Sequence, residues 1–213
     1  MPPRSFPLVV AAPSGAGKTS LARALLESRD DLAFSISATT RERRPHEREG
    51  VDYHFLDDEE FDAMLAAGEF VESALVHGAR YGTTRAAIQA AVDAGRVVVL
   101  DIDIQGARAI RERFPDAVLV FVLPPSGQEL ANRLAGRGSE ARAERRRRLV
   151  NARAELPSAP SFDYVVVNDD FDAGVAALSA IVDAEMRRVD RLAGLDDALR
   201  AIDRDIEAIL EET

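Results

Sequence analysis

Cysteine is absent from this 213-residue chain, so neither a disulfide nor a thiolate metal site is open to it. Histidine is scarce, and His46, His54 and His77 share no metal-ligand spacing; they read as ordinary surface or half-buried residues. Long apolar runs are missing too. The stretches 8–12 and 97–100 are far too short to span a bilayer, and the run behind Arg4 is too short for a signal peptide. A cytosolic location without a membrane partner is therefore expected. Positive charge is in deficit: the formal net charge is -10, which argues against a nucleic-acid partner bound through a basic field. An anionic ligand must then be held by locally placed Arg and Lys. There is no internal repeat and no low-complexity linker.

What is present suits one compact α/β domain with inserted subdomains: 46% of the residues are hydrophobic, and charge is spread along the whole chain. Apolar runs at 6–12, 97–101 and 117–123 predict buried parallel strands, with a fourth strand at 164–167. Helical patterns follow each of them, at 18–28, 104–114, 127–135 and 171–189. This alternation predicts a parallel sheet with flanking helices. Between about 35 and 95 the pattern changes to short polar strands, turns and an acidic helix at 57–66, as an inserted subdomain would. The arginine-crowded, glycine-flanked stretch 136–148 reads as a mobile lid.

The first strand runs into Ala12-Pro13-Ser14-Gly15-Ala16-Gly17-Lys18-Thr19 and then a helix. Only Ala12, standing where a glycine is usual, departs from a phosphate-binding loop. Glycines let successive backbone N–H groups turn inward around a phosphate, and the helix N-terminus adds its dipole. Lys18 would reach the β- and γ-phosphates, and the Thr19 hydroxyl would ligate Mg²⁺. Val97-Val98-Val99-Leu100-Asp101 ends in a carboxylate at the same sheet edge, placing Asp101 to hold Mg²⁺ through water. No Asn-Lys-x-Asp segment is present to read guanine in a triphosphate, so ATP is the expected donor.

The insert carries Ser35-Ile36-Ser37-Ala38-Thr39-Thr40-Arg41-Glu42-Arg43-Arg44-Pro45, Gly50-Val51-Asp52-Tyr53-His54-Phe55, Gly68-Glu69-Phe70-Val71-Glu72 and Arg80-Tyr81-Gly82-Thr83-Thr84. Later come Asp101-Ile102-Asp103-Ile104-Gln105-Gly106, Gly136-Arg137-Gly138 and Val167-Asn168-Asp169-Asp170. In these motifs, over roughly residues 6–189, the chain resembles the guanylate kinases, phosphate-loop kinases that act on GMP. The resemblance implies that Arg41, Arg44, Tyr53 and Tyr81 hold the GMP phosphate. It implies that Glu72 reads the guanine, with Ser37, Thr83 and Asp103 as further base contacts. Arg133, Arg137 and Arg148 correspond to lid arginines that close over the ATP phosphates, and Asn168 to a residue near the adenine. Lys18, Arg41, Arg137 and Arg148 would be the catalytic charges. Residues 1–34 and 96–190 would then form the ATP-binding core, 35–95 the GMP-binding subdomain and 136–148 the lid. Arg80 departs from the family, which often has an uncharged residue before the tyrosine. A kinase acting on a sugar phosphate would not need Glu72, Tyr53 and Tyr81, and a non-catalytic module would not need Lys18, Arg137 and Arg148.

Residues 191–213 read as a helical extension. Leu192, Leu195, Leu199, Ile202, Ile206 and Ile209 recur at alternating steps of three and four, a heptad seam narrower than the usual core-facing stripe. Two readings stay open: the helix packs on its own domain, or it makes a homo-oligomer with the same helix of another subunit.

Overall fold

The computed structural model describes residues 3–45, 47–76, 78–135 and 142–211. In chain order β1 (Pro7–Ala11) leads into α1 (Lys18–Glu27), followed by β2 (Leu32–Phe34), β3 (Ala38–Thr39) and β4 (His54–Phe55). Next come α2 (Asp58–Ala66), β5 (Phe70–Val76), β6 (Ala79–Thr84) and α3 (Arg85–Asp93). Then come β7 (Val97–Asp101), α4 (Ile104–Arg113), β8 (Val118–Leu123), α5 (Gly127–Ala135) and α6 (Arg142–Glu155). The last elements are β9 (Tyr164–Val167), α7 (Phe171–Glu185) and α8 (Leu195–Glu211).

Five strands form an all-parallel sheet in the order β2-β7-β1-β8-β9. The strands read as continuous apolar runs because helices cover both faces. On one face Leu8, Val10, Val99 and Val120 pack with Leu21 and Leu25 of α1 and Leu178 and Val182 of α7. On the other, Val9, Leu100, Leu119 and Phe121 pack with Ile88 of α3 and Ile110 of α4. Shortening a buried leucine such as Leu100 to alanine should cost about 2–5 kcal/mol. The smaller sheet has the order β4-β3-β6-β5. Its own core is a stack of Phe61 on Phe70, ring centroids 4.5 Å apart. Gly82 leaves room for that stack, since a Cβ there would lie 2.6 Å from Phe70 Cδ1.

Several elements differ from the sequence expectation. β2 and α3 emerge only in the structure, and α3 packs on the parallel sheet through Ile88 and Ala91. The helix expected over 171–189 ends at Glu185, and a 3-10 turn follows at Val189–Arg191. The chain turns there because Glu185 is buried and engaged: it accepts from Arg191 Nε at 3.2 Å and from the Tyr164 hydroxyl at 2.6 Å. Arg191 also lies 4.1 Å over the Phe6 ring. Leu192 pairs with Pro3 in an antiparallel bridge and therefore lies outside α8, which removes it from the helical seam. Asp57 caps α2 rather than opening it, in a reciprocal capping box with Glu60. Among the described residues, no helix is long and apolar enough to cross a membrane.

Candidate active site

The loop between β1 and α1 turns on Gly15 and Gly17, whose φ angles are +94° and +93°. Both are also pinned by close neighbours. A Cβ on Gly15 would lie 2.8 Å from Leu134 Cδ2 of α5, and one on Gly17 would lie 2.3 Å from Asn168 Nδ2. Ala12, the odd residue of the motif, is buried in the core cluster beneath the loop, where its methyl group has neighbours to pack against. The Asn168 amide donates to the Ala16 carbonyl at 2.8 Å, and Arg133 Nη2 donates to the Asn168 carbonyl at 2.9 Å. Asn168 and Arg133 thus brace the back of the loop. The N-cap of α7 is Asp170, whose side chain accepts from the Ala173 N–H.

Lys18, the only lysine in the sequence, is ion-paired with Asp101 and donates to the Ile102 carbonyl at 2.9 Å. The motif's amine and the carboxylate at the end of β7 therefore meet directly. Thr19 is exposed at the first turn of α1. Hydroxyl and carboxylate oxygens are the hard donors Mg²⁺ prefers, and Mg²⁺ usually takes its remaining ligands from phosphates and water. Among the described residues no group of three or more His, Cys, Asp or Glu could hold a metal ion.

From α6, Arg148 Nε and Nη2 donate to the Ser14 hydroxyl at 3.2 and 3.1 Å. Glu155 accepts from the Ser14 backbone N–H at 3.2 Å. One expected lid arginine is therefore at the mouth of the loop. Arg137 and the rest of 136–141 lie outside the described residues, as do His46 and His77.

The second group of side chains gathers on the smaller sheet. Arg41 donates through Nε to the Tyr81 hydroxyl at 3.2 Å and lies 5.5 Å from the Tyr53 ring centroid. The rings of Tyr53 and Tyr81 meet edge to face at 5.9 Å. Burial pushes the Tyr53 phenol well above its usual range, and the nearby Asp101 charge adds to that. Arg44 is exposed, but its backbone N–H donates to Glu47 at 2.9 Å. Burial raises the Glu47 carboxyl, yet the hydrogen bonds from Arg41 and from the Arg44 backbone outweigh it and hold the group below the ordinary range.

The third group surrounds Glu72 on β5, which is 8% exposed. Its carboxylate accepts from the Thr83 hydroxyl at 2.6 Å. Burial pushes Glu72 above its ordinary range; the Thr83 hydrogen bond opposes this and the Asp103 charge adds to it. Asp103 caps α4 through the Gly106 N–H at 2.8 Å. A Cβ on Gly106 would approach Glu72 Oε2 to 3.1 Å and Asp103 Oδ1 to 3.3 Å, so these groups converge on the start of α4. Ser37 is buried just before β3, and its carbonyl accepts from the His54 N–H at 2.9 Å.

Sequence reasoning missed three carboxylates. Glu47 holds Arg41, Glu155 holds the loop, and buried Asp52 pairs with Arg23 of α1 and accepts from the Arg48 N–H at 2.7 Å. The signal available for Glu47 was one of three acids, with Glu42 and Glu49, inside an arginine cluster, which by itself reads as charge balance. Arg80, the family departure, has its own local use: it lies 4.2 Å over the Phe61 ring and pairs with Asp62 at 2.7 Å.

Comparison with known proteins gives the family and supports the fold. A family model described as guanylate kinase matches residues 4–185. The guanylate kinase of Alkalilimnicola ehrlichii is 49% identical over 183 residues, covering 86% of this chain and 90% of that protein. That of Anaeromyxobacter dehalogenans is 52% identical over 183 residues, covering 85% and 81%. The crystal structure of guanylate kinase from Anaplasma phagocytophilum matches with a TM-score of 0.77 at 35% identity, covering 92% of this chain and 94% of that one. Lys18 at the start of α1, the Arg41–Tyr81 pair and the buried Glu72 thus occur together in a chain that belongs to the guanylate kinase family.

Proposed function

We propose that the side chains around the loop and on the smaller sheet divide the work of the reaction a guanylate kinase performs. That reaction transfers the γ-phosphoryl group of ATP to GMP, giving ADP and GDP. The loop 12–19 takes the ATP phosphates on its backbone N–H groups, steadied from behind by Arg133 and Asn168. Lys18, Arg41, Arg137 and Arg148 supply positive charge where the transferring group spreads its own. Arg44, Tyr53 and Tyr81 aim the GMP phosphate oxygen. No general base is needed, because that phosphate is already ionised near neutral pH.

Glu72 reads the base, and its burial carries this reading. A carboxylate there accepts from guanine N1–H and the 2-amino group together, whereas adenine presents an acceptor at N1 and nothing at C2. The Ser37 and Thr83 hydroxyls and Asp103 complete the base site. Residues 35–95 form the GMP-binding subdomain and 136–148 the lid. Their closure keeps water from the γ-phosphoryl group until both nucleotides are bound. Thr19 directly, and Asp101 through water, would hold Mg²⁺ entering with ATP; the ion neutralises phosphate charge. A cytoplasmic location follows from these substrates.

The test is ADP production with GMP, AMP, CMP and sugar phosphates offered in turn. Turnover with GMP far above the others is expected, and equal turnover with AMP overturns the reading.

A further inference from the structure

The last helix is firmly rooted yet bare. Its base is fixed by the buried Glu185–Arg191 pair, by the Pro3–Leu192 bridge and by the Arg4 N–H on the Arg191 carbonyl at 2.7 Å. Gly194, at φ +76°, then turns the chain into α8. None of its 17 residues is buried. Leu199, Ile202, Ile206 and Ile209 are 55%, 56%, 50% and 62% exposed, and with Leu195 they form one stripe at steps of four and three. The family match ends at residue 185, before this helix begins.

We propose that α8 pairs in parallel with the same helix of other copies of this chain. The seam has the 3.5-residue period of a coiled coil, with Leu195, Ile202 and Ile209 at d and Leu199 and Ile206 at a. A helix meant for its own globular body usually carries a wider apolar face, which would be buried. The flanking charges favour identical, parallel strands. In that arrangement Ala198 of one copy stands opposite Asp203 of the next, and Asp205 opposite Leu210, so no like charges meet. An antiparallel arrangement would set Asp203 against Asp203. A lipid surface suits this helix poorly: it has six acidic and two basic residues, whereas interfacial helices are rich in Lys and Arg. Leu199 at a with Ile202 at d favours more than two strands.

Light scattering on the full chain tests this. The wild type should run at a multiple of 23.1 kDa. An Ile202→Asp/Ile206→Asp variant should run at 23.1 kDa, with ADP production per subunit unchanged as the check on folding. A monomeric wild type overturns the proposal, and so does a double variant that keeps the larger mass. A wild-type monomer that pellets with anionic vesicles would instead assign the face to a membrane. Because the chain has no native cysteine, Leu199→Cys reports orientation directly. Parallel pairing brings residue 199 of each copy together, so oxidation should give a cross-linked species, and its absence rules out the parallel arrangement.

Discussion

Arg41 Nη2 donates to both carboxylate oxygens of Glu47, at 2.8 and 3.0 Å, while the Arg44 backbone N–H takes one of the same oxygens. One buried acid therefore holds the Arg41 side chain and the Arg44 backbone together. Glu47→Gln keeps a single acceptor and loses the charge. The KM for GMP should rise by a factor corresponding to about 1–3 kcal/mol, with the KM for ATP nearly unchanged. Initial rates with each nucleotide varied in turn would show the split. Since the folded-state pKa of Glu47 is lowered, its contribution to stability is present above the unfolded value of 4.5 and is lost as pH falls through the folded one.

Glu72 titrates the other way. Its folded-state pKa is raised above 4.5, so the charge proposed to read the base disappears at a higher pH than an ordinary carboxylate would allow. On acidification kcat/KM for GMP should fall early, while Glu72→Gln, which lacks the group, should not share that part of the profile. The substitution should also narrow the preference for GMP over AMP, costing GMP about 1–3 kcal/mol by analogy with a bidentate base contact. Rate profiles of the two proteins against pH, with both nucleotides, test both statements. An unchanged GMP-to-AMP ratio would remove Glu72 from the role of base reader.

Lys18→Met should lower turnover by several orders of magnitude if, as proposed, its charge acts chiefly in the transition state. It also strips the buried Asp101 of its ion-pair partner, which should cost about 1–3 kcal/mol of stability. Circular dichroism melts and a coupled assay separate the two effects. Since no other lysine exists, an amine-directed label can reach only Lys18 and the chain's α-amino group, and ATP should protect the former.

Gly17→Ala puts a methyl group into the Asn168 amide and strains a positive φ. The positive φ alone should cost about 1–3 kcal/mol. Adding Asn168→Ala should recover the steric part but not the backbone part, so the double variant should melt between Gly17→Ala and the wild type. A double variant less stable than Gly17→Ala would show that the Asn168–Ala16 bond outweighs the clash.

The strand–loop–helix turn at 12–19 was legible because its residues are contiguous and its glycines mark the backbone turn. The core strands were legible because burial on two faces leaves unbroken apolar runs. β2 was missed because three residues carry no period, and α3 because its alanines give little apolar contrast. The supporting carboxylates were hidden for another reason. Glu155 reaches Ser14 across 141 positions, and a single acid looks the same in sequence whether it is solvated or buried under an arginine. Leu192 looked like one more rung of the C-terminal seam because spacing alone cannot show that a helix has yet to begin.

The root of α8 lies beside residues 3, 4 and 116, which precede β1 and β8, whereas the phosphate loop follows β1. The five residues of β1 put roughly 16 Å of sheet between those two ends. Subunits gathered by that helix would hold their nucleotide clefts outward, like cups on a common stem. Substrate entry and lid movement would then proceed independently in each copy, and specific activity should not depend on protein concentration.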